Sequence, residues 1–98
     1  MARVKTAVET ETKTRPETQL SRPWNVIVHD DPVTLMTYVT KVLMQVFAYA
    51  ESKARTLMME VHKTGRSIVW TGGREQAELY AQKLQAHHLL TTLEIVDD

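Results

Sequence analysis

Apolar and polar positions alternate over Trp24-Asn25-Val26-Ile27-Val28-His29, with Trp24, Val26 and Val28 on one face, which predicts a strand. Pro32 cannot continue that strand and biases Asp31 to an extended conformation. Thr34 is a good N-cap for a helix beginning at the next residue. Met36, Val39, Leu43, Val46 and Phe47 recur at helical spacing, so a helix is expected over about 35–47 with those residues buried. Its end is soft, because Ala48-Tyr49-Ala50 supplies neither a C′ glycine nor a side-chain cap for the next helix. That second helix is expected over 51–64, with Ala54, Leu57, Met58 and Val61 as its stripe and Gly65 as a natural C′ residue. His62 stands one turn beyond Met58, at the stripe's edge. Residues 66–71 form a second strand, broken by Gly72-Gly73. A third helix is expected over 74–87 with Ala77, Ala81 and Leu84 inward and Glu75 and Glu78 in its first turns, where the macrodipole favours anions. A last strand is expected over 89–96. The order β-α-α-β-α-β implies an α+β fold: a compact, small three-stranded antiparallel sheet with three helices packed on one face.

Residues 1–22 lack apolar periodicity and are rich in Thr and Glu, with five basic residues against three acidic ones. Such a stretch cannot offset its ordering entropy by burial, so 1–22 is expected to be a disordered N-terminal extension and 23–98 the folded domain. Ninety-eight residues allow one domain. The absence of cysteine excludes disulfides and thiolate zinc sites and agrees with a reducing compartment. Twelve basic residues balance twelve acidic ones, which argues against nucleic acid as the main partner. The basic opening is not followed by the apolar run of a signal peptide, and no stretch approaches the roughly 20 apolar residues of a membrane span, so a cytoplasmic protein is expected.

The chemistry concentrates where the first strand gives way to the first helix. Asp30-Asp31-Pro32-Val33-Thr34-Leu35-Met36 places two carboxylates, a hydroxyl and a thioether within seven residues, and Met58-Met59-Glu60-Val61-His62 can face them. The two acids can accept hydrogen bonds from a cation, or make an Asx turn and a favourable dipole contact. Methionines here are either core or an adaptable apolar lining. No metal site is predicted: Asp30, Asp31 and His62 lack two-histidine helical spacing, and the adjacent His87-His88 point to different faces. No cofactor motif is present, and Gly72-Gly73 lacks the Lys-Ser/Thr of a phosphate loop. There is no cysteine nucleophile and no serine elbow. The residues by themselves describe a small α+β binding module with an unnamed ligand.

Four stretches, in order and at matching spacing, resemble the ClpS family, the adaptors that deliver N-degron substrates to a Clp AAA+ unfoldase–protease. Pro23-Trp24-Asn25-Val26-Ile27-Val28-His29-Asp30-Asp31-Pro32-Val33-Thr34-Leu35-Met36-Thr37-Tyr38-Val39 aligns without a gap to the family's opening, which reads Asn-Asp-Asp where this chain has Asp30-Asp31-Pro32. Ala54, Leu57, Met58, Val61, His62, Gly65 and Arg66 match the second signature, Arg74-Glu75 the third, and Leu89-Leu90-Thr91-Thr92-Leu93-Glu94 the fourth. The resemblance covers about 23–96. It implies a non-enzymatic adaptor in which Asp30, Asp31, Thr34 and His62 hold a substrate's free α-amino group. Its first side chain, Leu, Phe, Tyr or Trp, would enter a pocket at Met36, Val39, Met58, Val61 and Leu89. Met36 matches a residue thought to exclude β-branched side chains. Glu75 matches a contact to the unfoldase's N-terminal domain, Tyr80 replaces a neighbouring lysine of that surface, and the extension would engage the unfoldase during hand-over.

Two other readings stand beside it. The same α+β shape resembles the C-terminal domain of the ribosomal stalk protein, which implies a docking module without N-terminal residue recognition. An enzyme using the acids and His62 for general acid–base or metal-assisted hydrolysis is the third.

Overall fold

The computed structural model describes residues 22–96, and the extension assigned to 1–22 therefore lies outside the described residues except for Arg22. The alternating segment forms β1 (Trp24–His29), followed by α1 (Met36–Phe47), α2 (Glu51–Thr64), β2 (Arg66–Gly72), α3 (Arg74–Ala86) and β3 (Thr91–Ile95). β1 is central and pairs antiparallel with both neighbours, giving the order β2-β1-β3. Val26 and Val28 of β1 and Val69 of β2 meet Val39, Val42 and Leu43 of α1, Ala54, Met58 and Val61 of α2, and Ala77 and Leu84 of α3 in one core. The helices cover this face of the sheet.

The opposite face carries a polar layer across all three strands. Thr71 Oγ1 donates to Asn25 Oδ1 (2.6 Å), His29 Nε2 meets Thr92 Oγ1 (2.7 Å), and Arg66 of β2 reaches across β1 to Glu94 of β3 (3.2 Å). Ile27 lies on this side by alternation yet is fully buried, beneath the side chains that cross the central strand. Against β1 the register shifts between Val26 and Ile27, so that β2 holds an extra residue at Val69.

Several boundaries differ from the sequence expectation. α1 begins at Met36 with Leu35 as its N-cap and no side-chain cap, so Thr34 does not cap it. Thr34 is used one step earlier: its N–H donates to Asp31 O (3.0 Å), while Asp31 Oδ1 accepts the Val33 N–H (3.0 Å). This Asx turn around Pro32 delays helix entry. Val42, absent from the expected stripe, is fully buried, whereas Met36 is exposed at the helix start. β2 extends to Gly72, α3 stops at Ala86, and β3 is confined to 91–95. Gly72 is required for packing, because a Cβ there would stand 2.3 Å from the Trp70 ring.

The helix ends follow from their residues. α2 runs over the expected 51–64 and closes on Gly65 at φ 94°, whose N–H donates to Val61 O (3.0 Å). α1 closes in the same left-handed fashion on Ala48 at φ 59°, a conformation that disfavours any side chain with a Cβ. Beyond it Phe47 stacks on Tyr49 (5.0 Å) and packs on Tyr80 (4.6 Å), which meets Trp70 edge-on (4.9 Å). Tyr49 Oη donates to Val69 O (2.7 Å). Burial, and secondarily Tyr80 nearby, pushes the Tyr49 phenol above its ordinary value.

Candidate functional site

β1 ends beside the C-terminus of α2, and backbone bonds hold the two together. His29 N–H donates to Leu90 O (2.8 Å) and Asp30 N–H to Gly65 O (2.9 Å), so the loop after β1 is tied on one side to the approach to β3 and on the other to the cap of α2. The Asx turn at Asp31 then directs the chain into α1. These anchors bring Asp30, Asp31, Thr34, Met36, Val39, Met58, Val61, His62 and Leu89 around one recess. Every residue that the sequence suggested for the amine site and the apolar pocket lines it. Val28, His29 and Leu90 line it too. Sequence reasoning missed those three, whose one signal was adjacency to Asp30 and Leu89.

The recess is two-sided in chemistry. At its mouth stand Asp30 and Asp31, neither of which takes part in an ion pair among the described residues, with the exposed His62 on the α2 wall. One oxygen of Asp31 is occupied by the Val33 N–H and the other is available as an acceptor. Inside are aliphatic and thioether groups. Met36 is 43% exposed, whereas Val39, Met58, Val61 and Leu89 are each 8% exposed or less. The cavity itself is small, about 20 Å³, which is room for roughly one water molecule. A bulky side chain does not fit this volume, and Met36 and Leu90 (54% exposed) are the two apolar lining residues not buried in the core.

Glu75 and Tyr80 lie elsewhere. Glu75 is exposed in the first turn of α3 and borders a shallow hollow with Gly73, Arg74 and Gln76. Tyr80 is half-buried against Phe47 and Trp70, at the far end of α1 from Met36. The length of α1, about 18 Å, separates the two regions. Among the described residues no group of three His, Cys, Asp or Glu side chains is placed to hold a metal, and no helix is long and apolar enough to cross a membrane.

Comparison with known proteins points one way. The family profile described as "ATP-dependent Clp protease adaptor protein ClpS" matches residues 19–92. The chain is 46% identical over 79 residues to the ATP-dependent Clp protease adapter protein ClpS of Mycolicibacterium paratuberculosis, covering 81% of this chain and 75% of that one. It is 47% identical over 72 residues to the protein of the same name from Streptomyces coelicolor, covering 74% and 75%. Among solved structures it resembles Agrobacterium tumefaciens ClpS2 bound to L-phenylalaninamide, with a TM-score of 0.72 and 29% identity over 78% of this chain and 99% of that one.

Proposed function

The chain belongs to the ClpS family of adaptors of the ATP-dependent Clp protease, and from that premise we propose that it captures proteins by a free, bulky apolar N-terminal residue and delivers them to a Clp unfoldase. It is an adaptor, not an enzyme. The observation that carries the proposal is the recess itself, in which two carboxylates without a cationic partner stand over an apolar interior.

A free α-amino group is a cation with three N–H donors. It needs several acceptors at once, in a niche shielded enough for charge-assisted bonds to be strong. Asp30 and Asp31 supply the negative charge. The free oxygen of Asp31, the Thr34 hydroxyl and the His62 ring supply acceptors on opposite walls. The first side chain, Leu, Phe, Tyr or Trp, displaces Met36 and lies on Val39, Met58, Val61 and Leu89. Such a lining adapts to side chains of different shape because methionine is unbranched and polarisable. A β-branched side chain is widest next to its backbone, where Met36 narrows the mouth. The likeness to a ClpS2 that holds L-phenylalaninamide, a free amine beside a benzyl group, supports this reading.

Docking to the N-terminal domain of the unfoldase is assigned to the α3 surface around Glu75, with Tyr80 at its inner margin. Its distance from the recess lets substrate and unfoldase be held together. The extension 1–22 is assigned to hand-over, and a cytosolic setting agrees with a chain that has no cysteine. Degradation of a reporter beginning with Phe, by a purified Clp unfoldase and peptidase from one of the relatives' organisms, tests the proposal. Turnover should require the adaptor and vanish when the reporter begins with Ser. Adaptor-independent turnover, or none with the adaptor present, would overturn it.

A further inference from the structure

A groove between α1 and α2, about 470 Å³ and far roomier than the recess, is left unused by the amine site. Its walls are Thr37, Lys41 and Met44 of α1 and Glu51, Arg55 and Met58 of α2. Met58 lines both the groove and the recess, so one thioether side chain stands between the two hollows and makes them neighbours. We propose that this groove is a second subsite, and that it takes an apolar side chain from the third residue of the same N-terminal segment whose first residue fills the recess. The inference rests on the proposed capture of a free N-terminal residue and extends it from one residue to a short sequence.

Three observations select this occupant. The first is reach: Met58 to Glu51 spans about 10 Å of helix axis, and an extended chain advances about 3.3 Å per residue, so the groove accommodates roughly the three residues that come after the first. The second is alternation. In an extended chain the first and third side chains point to one side and the second to the other, so a chain with its first side chain in the recess turns its third toward the groove and its second toward solvent. The third is chemistry. Met44 and Met58 form an apolar floor. Glu51 and Arg55 satisfy each other as an ion pair, and Lys41 has no ion-pair partner among the described residues. The groove thus carries an uncompensated positive charge one turn from Met44, and it disfavours a basic third residue.

Labelled tetrapeptides Phe-Gly-Xaa-Gly, with Xaa as Leu, Ser or Lys, together with Phe-Leu-Gly-Gly, test this in competition with phenylalaninamide. Leu at the third position should bind about fivefold tighter than Ser, the effect of half-burying one leucine, and Lys weaker than Ser. Moving the Leu to the second position should give no gain. Met44→Glu, at an exposed position, should erase the third-residue preference and leave phenylalaninamide competition unchanged. If phenylalaninamide binds but the tetrapeptides agree within about twofold, or if the Leu preference survives Met44→Glu, the groove is not a subsite and only this inference falls. If neither phenylalaninamide nor any tetrapeptide binds, the functional reading falls and takes the groove with it.

Discussion

Replacing Met36 with alanine separates the roles of the recess walls. The cavity of about 20 Å³ is far below the roughly 150 Å³ that admits a benzene ring. Five lining residues (Val28, Val39, Met58, Val61 and Leu89) are fixed in the core at 8% exposure or less, while Met36 stands 43% exposed as the first residue of α1. Removing its side chain beyond Cβ opens the mouth without hollowing the core. The cost to folding should stay below about 1 kcal/mol, as for other exposed positions, whereas Met58→Ala would cost about 2–5 kcal/mol. A Phe substrate loses part of its contact with the thioether, worth about 1 kcal/mol or roughly fivefold in Kd. An Ile substrate gains entry. Fluorescence anisotropy with peptides beginning with Phe, Leu and Ile, on the wild type and Met36→Ala, reads both effects. The Phe-over-Ile preference should shrink by at least about tenfold. An unchanged preference in a variant with normal thermal unfolding would refute Met36 as the movable wall.

Other outcomes come from the same structure. Asp31→Asn keeps an oxygen for the Val33 N–H, so stability should change by less than about 0.5 kcal/mol while affinity for a Phe peptide drops about tenfold or more; equal affinity would remove the carboxylate from the amine's partners. Ala48→Gly relieves the left-handed alanine at φ 59° and should stabilise by about 0.5 kcal/mol net of the glycine's unfolded-state entropy, a rise of about 2–4 °C in Tm; a fall would show that this conformation carries no strain. Because Tyr49 is pushed above its ordinary 10.0, the unfolded chain releases this proton first as pH rises. Its contribution is therefore complete below about pH 10 and lost as pH climbs through the folded value, and urea titrations should show this decline in the wild type and less of it in Tyr49→Phe.

The elements whose register is set by local pattern were legible in the sequence. β1 alternates apart from Ile27, and α2 carries both a regular stripe and a glycine where the backbone turns left-handed, so its limits matched at 51–64. The start of α1 was not legible. Thr34 has the side chain of an N-cap, but its N–H is taken by the backbone carbonyl of Asp31 beside the Asx turn, and the helix starts at Met36. Val42 fell outside a stripe traced by single steps from Met36, although it stands three residues from the buried Val39. Ile27 is buried on the polar side of the sheet because Arg66 and Glu94 meet across it, a contact between residues 28 positions apart that no local pattern encodes. All nine residues named for the amine and the apolar pocket share one recess, since the motif pieces that suggested them are the pieces joined by the His29–Leu90 and Asp30–Gly65 bonds. The groove beside them went unseen, because it depends on how α1 and α2 approach and not on either helix alone.

The central claim is that a cationic amine is held beside an apolar side chain. Two labelled peptides identical except for N-acetylation of the leading Phe test it most directly. Acetylation removes the charge and leaves Asp30 and Asp31 without their partner, so the free peptide should bind at least about a hundredfold tighter, in line with about 3 kcal/mol for a broken shielded charge pair. Equal binding of the two peptides would contradict the claim and turn attention to the surface around Glu75.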